Sequence, residues 1–340
     1  MHFPRNCADA TADKIHSLRC PSEKGRRCLN LKSQATGLQR QTTVTRILSL
    51  VGAPSSAGAY APGQEKAPAA FRRHGLTSAL TQAGRLVHDR GDVAGIRWRL
   101  DPARPKAMNL EAVHQTAAAV ADKVADALAQ DEAVLVLGGD CTVELGTVAG
   151  ALRDESSVGI VYIDVDLNTP EASDGALDWT GVAHLPDLPG TAPELSGLGS
   201  RRPMVGPADI LFFAADNITP GEAHTMGTLG LDRVDLAEVK ANPTGSANQA
   251  VAWAARYDRL LVHLDVDVLA YTDFPIAENT RRCDGLSFEA LSAVLASLLI
   301  APNWRALTLT EVNPDHAPDE AETFRRLIGM LSRALSPGAC

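Results

Sequence analysis

The chain has 340 residues, of which 45% are apolar and 21% charged, a composition typical of a globular protein with a large hydrophobic core. Residues 1–45 hold eight basic and three acidic side chains, which leaves 24 basic and 38 acidic ones in residues 46–340. Such an acidic body excludes nucleic-acid binding through a basic surface. No segment reaches the roughly 20 apolar residues of a membrane span, and no signal-type apolar run begins the chain. We therefore predict a cytoplasmic protein without a membrane partner.

Residues 1–45 are polar and basic and show no periodicity. This predicts a disordered N-terminal extension, a targeting extension, or sequence translated upstream of the true start. Residues 46–340 are predicted to form one domain. The six cysteines show no CxxC spacing, so neither disulfides nor a zinc finger are expected in a cytosolic chain of this length.

The elements predicted from residue 46 onward alternate between apolar strands and amphipathic helices. In chain order they are a strand from 46, a helix at 111–130, a strand at 133–138, a helix at 142–153, a strand at 158–163, an irregular segment at 168–208, a strand at 210–214, a helix at 245–256, a strand at 259–264, a helix at 287–300, a strand at 305–310 and a helix at 319–335. Continuous apolar strands separated by helices indicate a parallel sheet that is buried on both faces. The predicted fold class is α/β, a three-layer α/β/α domain with a mostly parallel central sheet.

Side chains able to hold a cation follow four of the predicted strands: Cys141, Asp164, Asp166, Asp265, Asp267 and Glu311. Because ligands bind at the carboxyl ends of the strands in such sheets, we expect these side chains to converge. Like charges on one face repel each other unless a cation lies among them. Oxygen-rich sites suit divalent ions such as Mn²⁺. The sequence therefore predicts a metal site built from Cys141, Asp164, Asp166, Asp265 and Asp267.

Five segments resemble, in order, motifs of the ureohydrolases, the arginase and agmatinase family of binuclear manganese enzymes. They are VGAPSSAG with APAAFRRHGL, LGGDCTVELG, DLNTP, HLDVDVLAYTDFP and EVNP. The resemblance covers residues 46–335 and implies an arginase-like fold. It implies a hydrolase that splits a guanidino or amidino C–N bond of a small molecule and releases urea, or a relative of urea, and an amine. It also implies one or two Mn²⁺ ions or another divalent metal, and a homo-oligomer, either a trimer or a hexamer.

The resemblance also implies roles for individual residues. Asp265 and Asp267 match a metal-binding segment. Glu311 matches the carboxylate that pairs with the substrate guanidinium, which suits a bidentate fork. Asn168 and Glu222 match positions that contact the substrate. In this mechanism Asp166 would orient a water of lowered pKa and pass a proton to the leaving amine.

Two ligand histidines of the family are missing from this chain. Cys141 stands in place of the first, and is interpreted as a thiolate ligand, an inert buried cysteine or a nucleophile. In YIDVDLNTP, a gapless alignment puts Tyr162 in place of the first aspartate and Asp164 in place of the second histidine. A two-residue deletion instead leaves Asp164 and Asp166 in both aspartate roles, and we favour this alignment.

Two further departures concern the substrate. The family's proton-shuttling histidine aligns near Thr180, and His184 is either its substitute or a structural histidine. Thr219 stands where arginases carry the aspartate that holds the substrate's α-amino group. A decarboxylated, acylated or hydroxylated guanidine is therefore expected rather than free arginine.

Two other functions remain open at this point. The missing histidines favour a catalytically inactive protein that binds or assembles with a relative. An amide hydrolase or deacetylase on the same fold is the second alternative, and the EVNP segment with Glu311 argues against it.

Overall fold

The structure, a computed structural model, describes residues 46–164 and 175–337. The predictions for residues 1–45, Asp166 and Asn168 lie outside the described residues. Those residues that are described belong to a single compact unit. None of their helices is long and apolar enough to cross a membrane.

The centre of the domain is a sheet of eight strands, all parallel. The strands are β1 (Leu48–Gly52), β2 (Val87–Asp92), β3 (Ala133–Leu137), β4 (Val158–Ile163), β5 (Ile210–Ala215), β6 (Asp232–Asp235), β7 (Arg259–Asp265) and β8 (Trp304–Thr310). Their spatial order is β2-β1-β3-β8-β7-β4-β5-β6. The prediction of a parallel-sheet α/β fold is confirmed.

The described residues contain ten α-helices, of which nine lie between strands and the last follows β8. They are α1 (Ala67–Arg73), α2 (Leu76–Gln82), α3 (Leu110–Ala129), α4 (Val143–Ala151), α5 (Pro193–Ser196), α6 (Pro220–Leu229), α7 (Leu236–Ala241), α8 (Pro243–Ala254), α9 (Phe288–Leu298) and α10 (Glu320–Ala334). The segment predicted to be irregular holds, from residue 175 onward, only short helices such as α5 and the 3-10 turn Asp178–Thr180. Each inner strand is buried along nearly its whole length, as continuous apolar runs require.

Two hydrophobic clusters cover the two faces of the sheet. The cluster containing α3 and α4 lies on one face, and the cluster containing α8, α9 and α10 lies on the other. Helix α4 approaches α3 closely, because a Cβ on Gly146 would lie 2.4 Å from the Ala117 oxygen and one on Gly150 would lie 2.6 Å from the Ala121 oxygen. Glycines four residues apart on one helix face allow this contact. The close packing fixes the first turn of α4, which begins two residues after Cys141.

Candidate metal and substrate site

A pocket of about 690 Å³ opens at the carboxyl ends of β3, β4, β7 and β8. We call six of its residues the acidic floor: Cys141, Asp164, Asp178, Asp265, Asp267 and Glu311. We call residues 278–282, which also line the pocket, the rim segment. The described strand-end residues predicted from the sequence therefore do converge on one cavity, together with Asp178.

Cys141 lies at the centre of the acidic floor. Its thiol donates to Oδ2 of Asp265, with 3.3 Å between the sulfur and the oxygen, and the sulfur lies 3.3 Å from Oγ1 of Thr310. One ligand atom each of Cys141, Asp164 and Asp265 lie within 4.8 Å of one another. Burial, and next the charge of Asp265, raise the pKa of the Cys141 thiol well above its usual value. The thiol proton of Cys141 thus lies between its sulfur and the carboxylate of Asp265, which would repel each other if both were anions.

The backbone of Cys141 holds a second set of carboxylates. Its N–H lies 2.7 Å from Oδ1 of Asp178 and 3.1 Å from Oε1 of Glu311, and donates to both. Gln64 donates from Nε2 to the other Glu311 oxygen over 3.1 Å. Cys141, Asp178 and Glu311 form a second group of three ligand atoms within 4.8 Å of one another.

Glu311 has an unusual backbone conformation. Its φ is 63°, in the left-handed region, which costs a non-glycine residue free energy and is common at functional sites. Two hydrogen bonds hold this conformation: the Glu311 N–H donates to the Gly139 oxygen over 2.9 Å, and the Glu278 N–H donates to the Glu311 oxygen over 3.1 Å. The fold thus keeps a strained backbone at the residue expected to bind the guanidinium.

Several acids of the acidic floor have raised pKa values, because they are buried or partly buried next to one another. Burial, and next the charge of Asp140, raise the pKa of Asp178 to about 8. The pKa values of Asp265 and Glu311 are also raised well above the usual range, first by burial and then by neighbouring acids. A divalent cation would compensate the same charge that these protons now compensate.

The chemistry of the donor atoms fits a divalent cation. Both groups of ligand atoms are carboxylate oxygens plus the Cys141 sulfur, and neither contains an imidazole. Carboxylates suit Mn²⁺ or Mg²⁺, whereas a thiolate favours softer ions such as Zn²⁺. Asp267 lines the same pocket but belongs to neither group, and its N–H donates to Oδ1 of Asp265 over 2.7 Å.

Comparison with known proteins identifies the family. A sequence profile described as the arginase family matches residues 47–335. The chain belongs to the arginase family. It is 27% identical to arginase-1 of Rattus norvegicus over 295 residues, which covers 85% of this chain and 91% of that relative.

Solved structures show the same arginase-family fold. The arginase of Bacillus caldovelox superimposes with a TM-score of 0.77 at 22% identity, covering 87% of this chain and all of that one. The formimidoylglutamase of Bacillus subtilis gives a TM-score of 0.66 at 14% identity, covering 90% of this chain and 95% of that one. At these identities the likeness concerns the fold alone, and the site must be judged from its own residues.

A polar layer lies beneath the acidic floor of this arginase-family chain. Tyr162 and His263 are fully buried and stacked, with ring centroids 4.1 Å apart. Nδ1 of His263 lies 3.7 Å from a carboxylate oxygen of Glu144 on α4. Tyr162 therefore does not line the pocket, whereas Asp164, two residues on, does. This supports the alignment in which Asp164 takes the role of the family's first aspartate.

His184 is placed as a structural histidine. The ring is buried; Nδ1 lies 2.8 Å from the Thr180 oxygen, and Nε2 accepts from the Ala192 N–H over 3.0 Å. It is not among the residues that line the pocket. With both ring nitrogens bonded to backbone, His184 has no nitrogen left for proton transfer, which favours the structural interpretation over the catalytic one.

Thr219 and Glu222 form a capping box at the start of α6. The Thr219 hydroxyl accepts from the Glu222 N–H, and the Glu222 carboxylate accepts from the Thr219 N–H over 2.7 Å. Reciprocal capping of this kind satisfies two backbone donors at a helix start. Neither residue lines the pocket. The capping box gives both residues a structural role, and their contacts with the substrate stay a prediction.

Several site residues were not predicted from the sequence: Tyr60, Gln64, Asp178, Asn217, Arg281 and Arg282. Asp178 lies in the segment predicted to be irregular, where the Asp178 N–H donates to the Gly58 oxygen over 2.9 Å. Apart from Asn217, which follows β5, none of these residues comes directly after a strand, and position after a strand is what marked the predicted residues.

Proposed function

We propose that this arginase-family chain hydrolyses a guanidino or amidino C–N bond of a small molecule with the help of a divalent cation, releasing urea or a relative of urea and an amine. The observation that carries the proposal is the convergence of Cys141, Asp164, Asp265 and Glu311 in one pocket. Membership of the arginase family supports the reaction class.

The cation would be held by Cys141, Asp164 and Asp265. When bound, a divalent cation lowers the pKa of water enough to supply hydroxide near neutral pH. Thr310 contacts the Cys141 sulfur and also donates to the Leu264 oxygen over 3.3 Å, so it fixes the side of the sulfur that faces β8. Mn²⁺ is the cation implied by the family, and the sulfur makes Zn²⁺ a second candidate.

Glu311 would bind and orient the guanidinium. Gln64 and the Cys141 N–H each donate to a different Glu311 oxygen, which fixes the plane of the carboxylate. A planar carboxylate held in this way can receive two parallel N–H donors of a guanidinium. An uncharged amide needs no such partner, so the arrangement favours an amidine hydrolase over a deacetylase.

Asp166 keeps its proposed roles in metal binding and proton transfer, Asp267 its proposed role in metal binding, and Asn168 its proposed role in substrate binding. A homo-oligomer, either a trimer or a hexamer, also remains part of the proposal.

The test is urea release by the Mn²⁺-loaded protein from arginine, agmatine, 4-guanidinobutyrate and hydroxyarginine. Glu311→Gln should lower turnover at least about 100-fold, because a neutral amide cannot neutralise the guanidinium. Glu289→Gln, an exposed glutamate of α9, is the matched control and should leave turnover unchanged. No urea from any substrate, with metal shown by elemental analysis to be bound, would refute the proposal.

One observation favours a second candidate function. The two groups of candidate ligand atoms contain no imidazole, which is what a non-catalytic arginase-family protein with a binding or assembly role would show. Purified protein without bound metal, and with unfolding unaffected by EDTA, would support that function instead.

A further inference from the structure

The charge of the pocket changes from its floor to its rim. The acidic floor carries carboxylates at the strand ends, whereas the outer end of the rim segment carries Arg281 and Arg282 in the same cavity. Glu278, at the inner end of the rim segment, is buried and accepts a hydrogen bond from Nδ2 of Asn313. A small molecule that places a cationic group on the floor therefore extends towards two guanidinium groups.

Arg281 is available to a ligand. Its side chain is exposed, and among the described residues it has no hydrogen bond or ion pair, since only its backbone N–H is bonded, to Oδ1 of Asn279 over 3.1 Å. A guanidinium offers a planar fork that matches a carboxylate.

Arg282 adds a buried donor beside it. Its Nη2 binds Oδ2 of Asp216 over 2.7 Å, while its Nε is buried and has no hydrogen-bond partner within the part of the chain that the structure describes. An unsatisfied buried donor costs free energy, which an incoming acceptor would recover.

Backbone hydrogen bonds fix the position of the rim segment. The Glu278 N–H donates to the Glu311 oxygen over 3.1 Å, and the Arg282 oxygen accepts from the Tyr271 N–H over 2.8 Å. In addition, the Asn279 N–H donates to Oδ1 of Asp267 over 3.4 Å. The two arginines are thus held relative to the floor, as a specificity site requires.

We propose that Arg281 and Arg282 form a carboxylate subsite, and that the substrate is a guanidino acid whose tail carries a carboxylate but no ammonium group. The proposal rests on the proposed function, because it places the guanidinium end on the acidic floor. An ammonium beside the carboxylate would be repelled by both arginines. Thr219, the position expected at an α-amino group, is occupied in capping α6.

The test compares two probes that differ only in the tail, 4-guanidinobutyrate and the uncharged-tail compound butylguanidine. Their dissociation constants are measured calorimetrically with Mn²⁺-loaded protein, and urea in the same samples reports turnover. The wild type should bind 4-guanidinobutyrate about tenfold more tightly, the factor expected of one charge-assisted hydrogen bond. Arg281→Ala should reduce this preference and leave butylguanidine binding unchanged.

Arg104→Ala is the matched control, because Arg104 is also exposed and does not line the pocket. Equal affinity of the wild type for both probes, or an equal loss of both in Arg281→Ala, would overturn the carboxylate subsite. If the wild type prefers 4-guanidinobutyrate but releases no urea, the result would leave the carboxylate subsite standing and count only against the proposed hydrolysis. Binding of neither probe would overturn the carboxylate subsite.

Discussion

Asp178 should make the cation-free protein less stable as pH rises. Its pKa is about 8 in the folded protein against an ordinary value of 3.8, so between these values the folded state holds a proton that the unfolded state has released. Stability falls with pH wherever the folded state binds more protons. Asp178 does not destabilise the folded state below about pH 4, where it is protonated in both the folded and the unfolded state. Its destabilising effect is complete above about pH 8.

The slope follows from the size of one titration step. A single group that is protonated only in the folded state changes the free energy of unfolding by at most about 1.4 kcal/mol per pH unit. Between pH 5 and 7, Asp178→Asn should therefore gain about 2–3 kcal/mol relative to the wild type. Asparagine retains the oxygen that accepts from the Cys141 N–H, so the local geometry should survive.

The assay is urea unfolding in EDTA at several pH values, followed by circular dichroism. Asp126, an exposed aspartate of α3, provides the control. The free energy of unfolding of Asp126→Asn should change with pH in the same way as that of the wild type. Added Mn²⁺ should stabilise the wild type more at pH 8 than at pH 6, since the cation displaces the protons. The prediction would be refuted if the difference in free energy of unfolding between Asp178→Asn and the wild type did not change with pH. It would also be refuted if the wild type became the more stable of the two as pH rises.

Three other predictions concern single positions. Protein loaded with Co²⁺ should show a sulfur-to-metal charge-transfer band in the near ultraviolet that Cys141→Ser lacks, and a band unchanged in the variant would exclude the thiolate ligand. Thr219→Ala and Glu222→Ala should each lower the free energy of unfolding by about 1 kcal/mol with unaltered KM, whereas a raised KM at full stability would indicate a substrate contact. Gly139→Ala should destabilise by about 3 kcal/mol, because its Cβ would lie 1.6 Å from a backbone oxygen. Its control, Gly227→Ala in α6, has open space around it and should be neutral or stabilising in chemical denaturation.

The inner strands could be predicted from sequence because burial on both faces requires continuous apolar residues. The predicted strand at 158–163 coincides with β4. The edge strands β2 and β6, with the sequences VHDRGD and DRVD, were missed. They are partly exposed and polar, as edge strands commonly are, so neither apolar runs nor alternation marked them.

The site could be predicted only where it follows a strand. Cys141, Asp164, Asp265 and Glu311 follow apolar strands, and the topology of a parallel sheet brings them together. Asp178 and the rim arginines come from loops, whose path depends on tertiary hydrogen bonds that no local pattern records. The positive φ of Glu311 was equally unpredictable, because glutamate has no intrinsic preference for it.

At Glu311, which has a left-handed backbone conformation, the residue that favours stability differs from the residue that the proposed reaction requires. Glycine adopts that conformation without steric cost, and Glu311→Gly would also remove a buried acid. Random mutagenesis of codon 311 followed by selection for heat resistance alone should therefore enrich glycine over glutamate. In a protein that is not selected for turnover, Glu311→Gly would raise the free energy of unfolding. The glutamate at position 311 is therefore the residue at which selection for activity would oppose selection for stability.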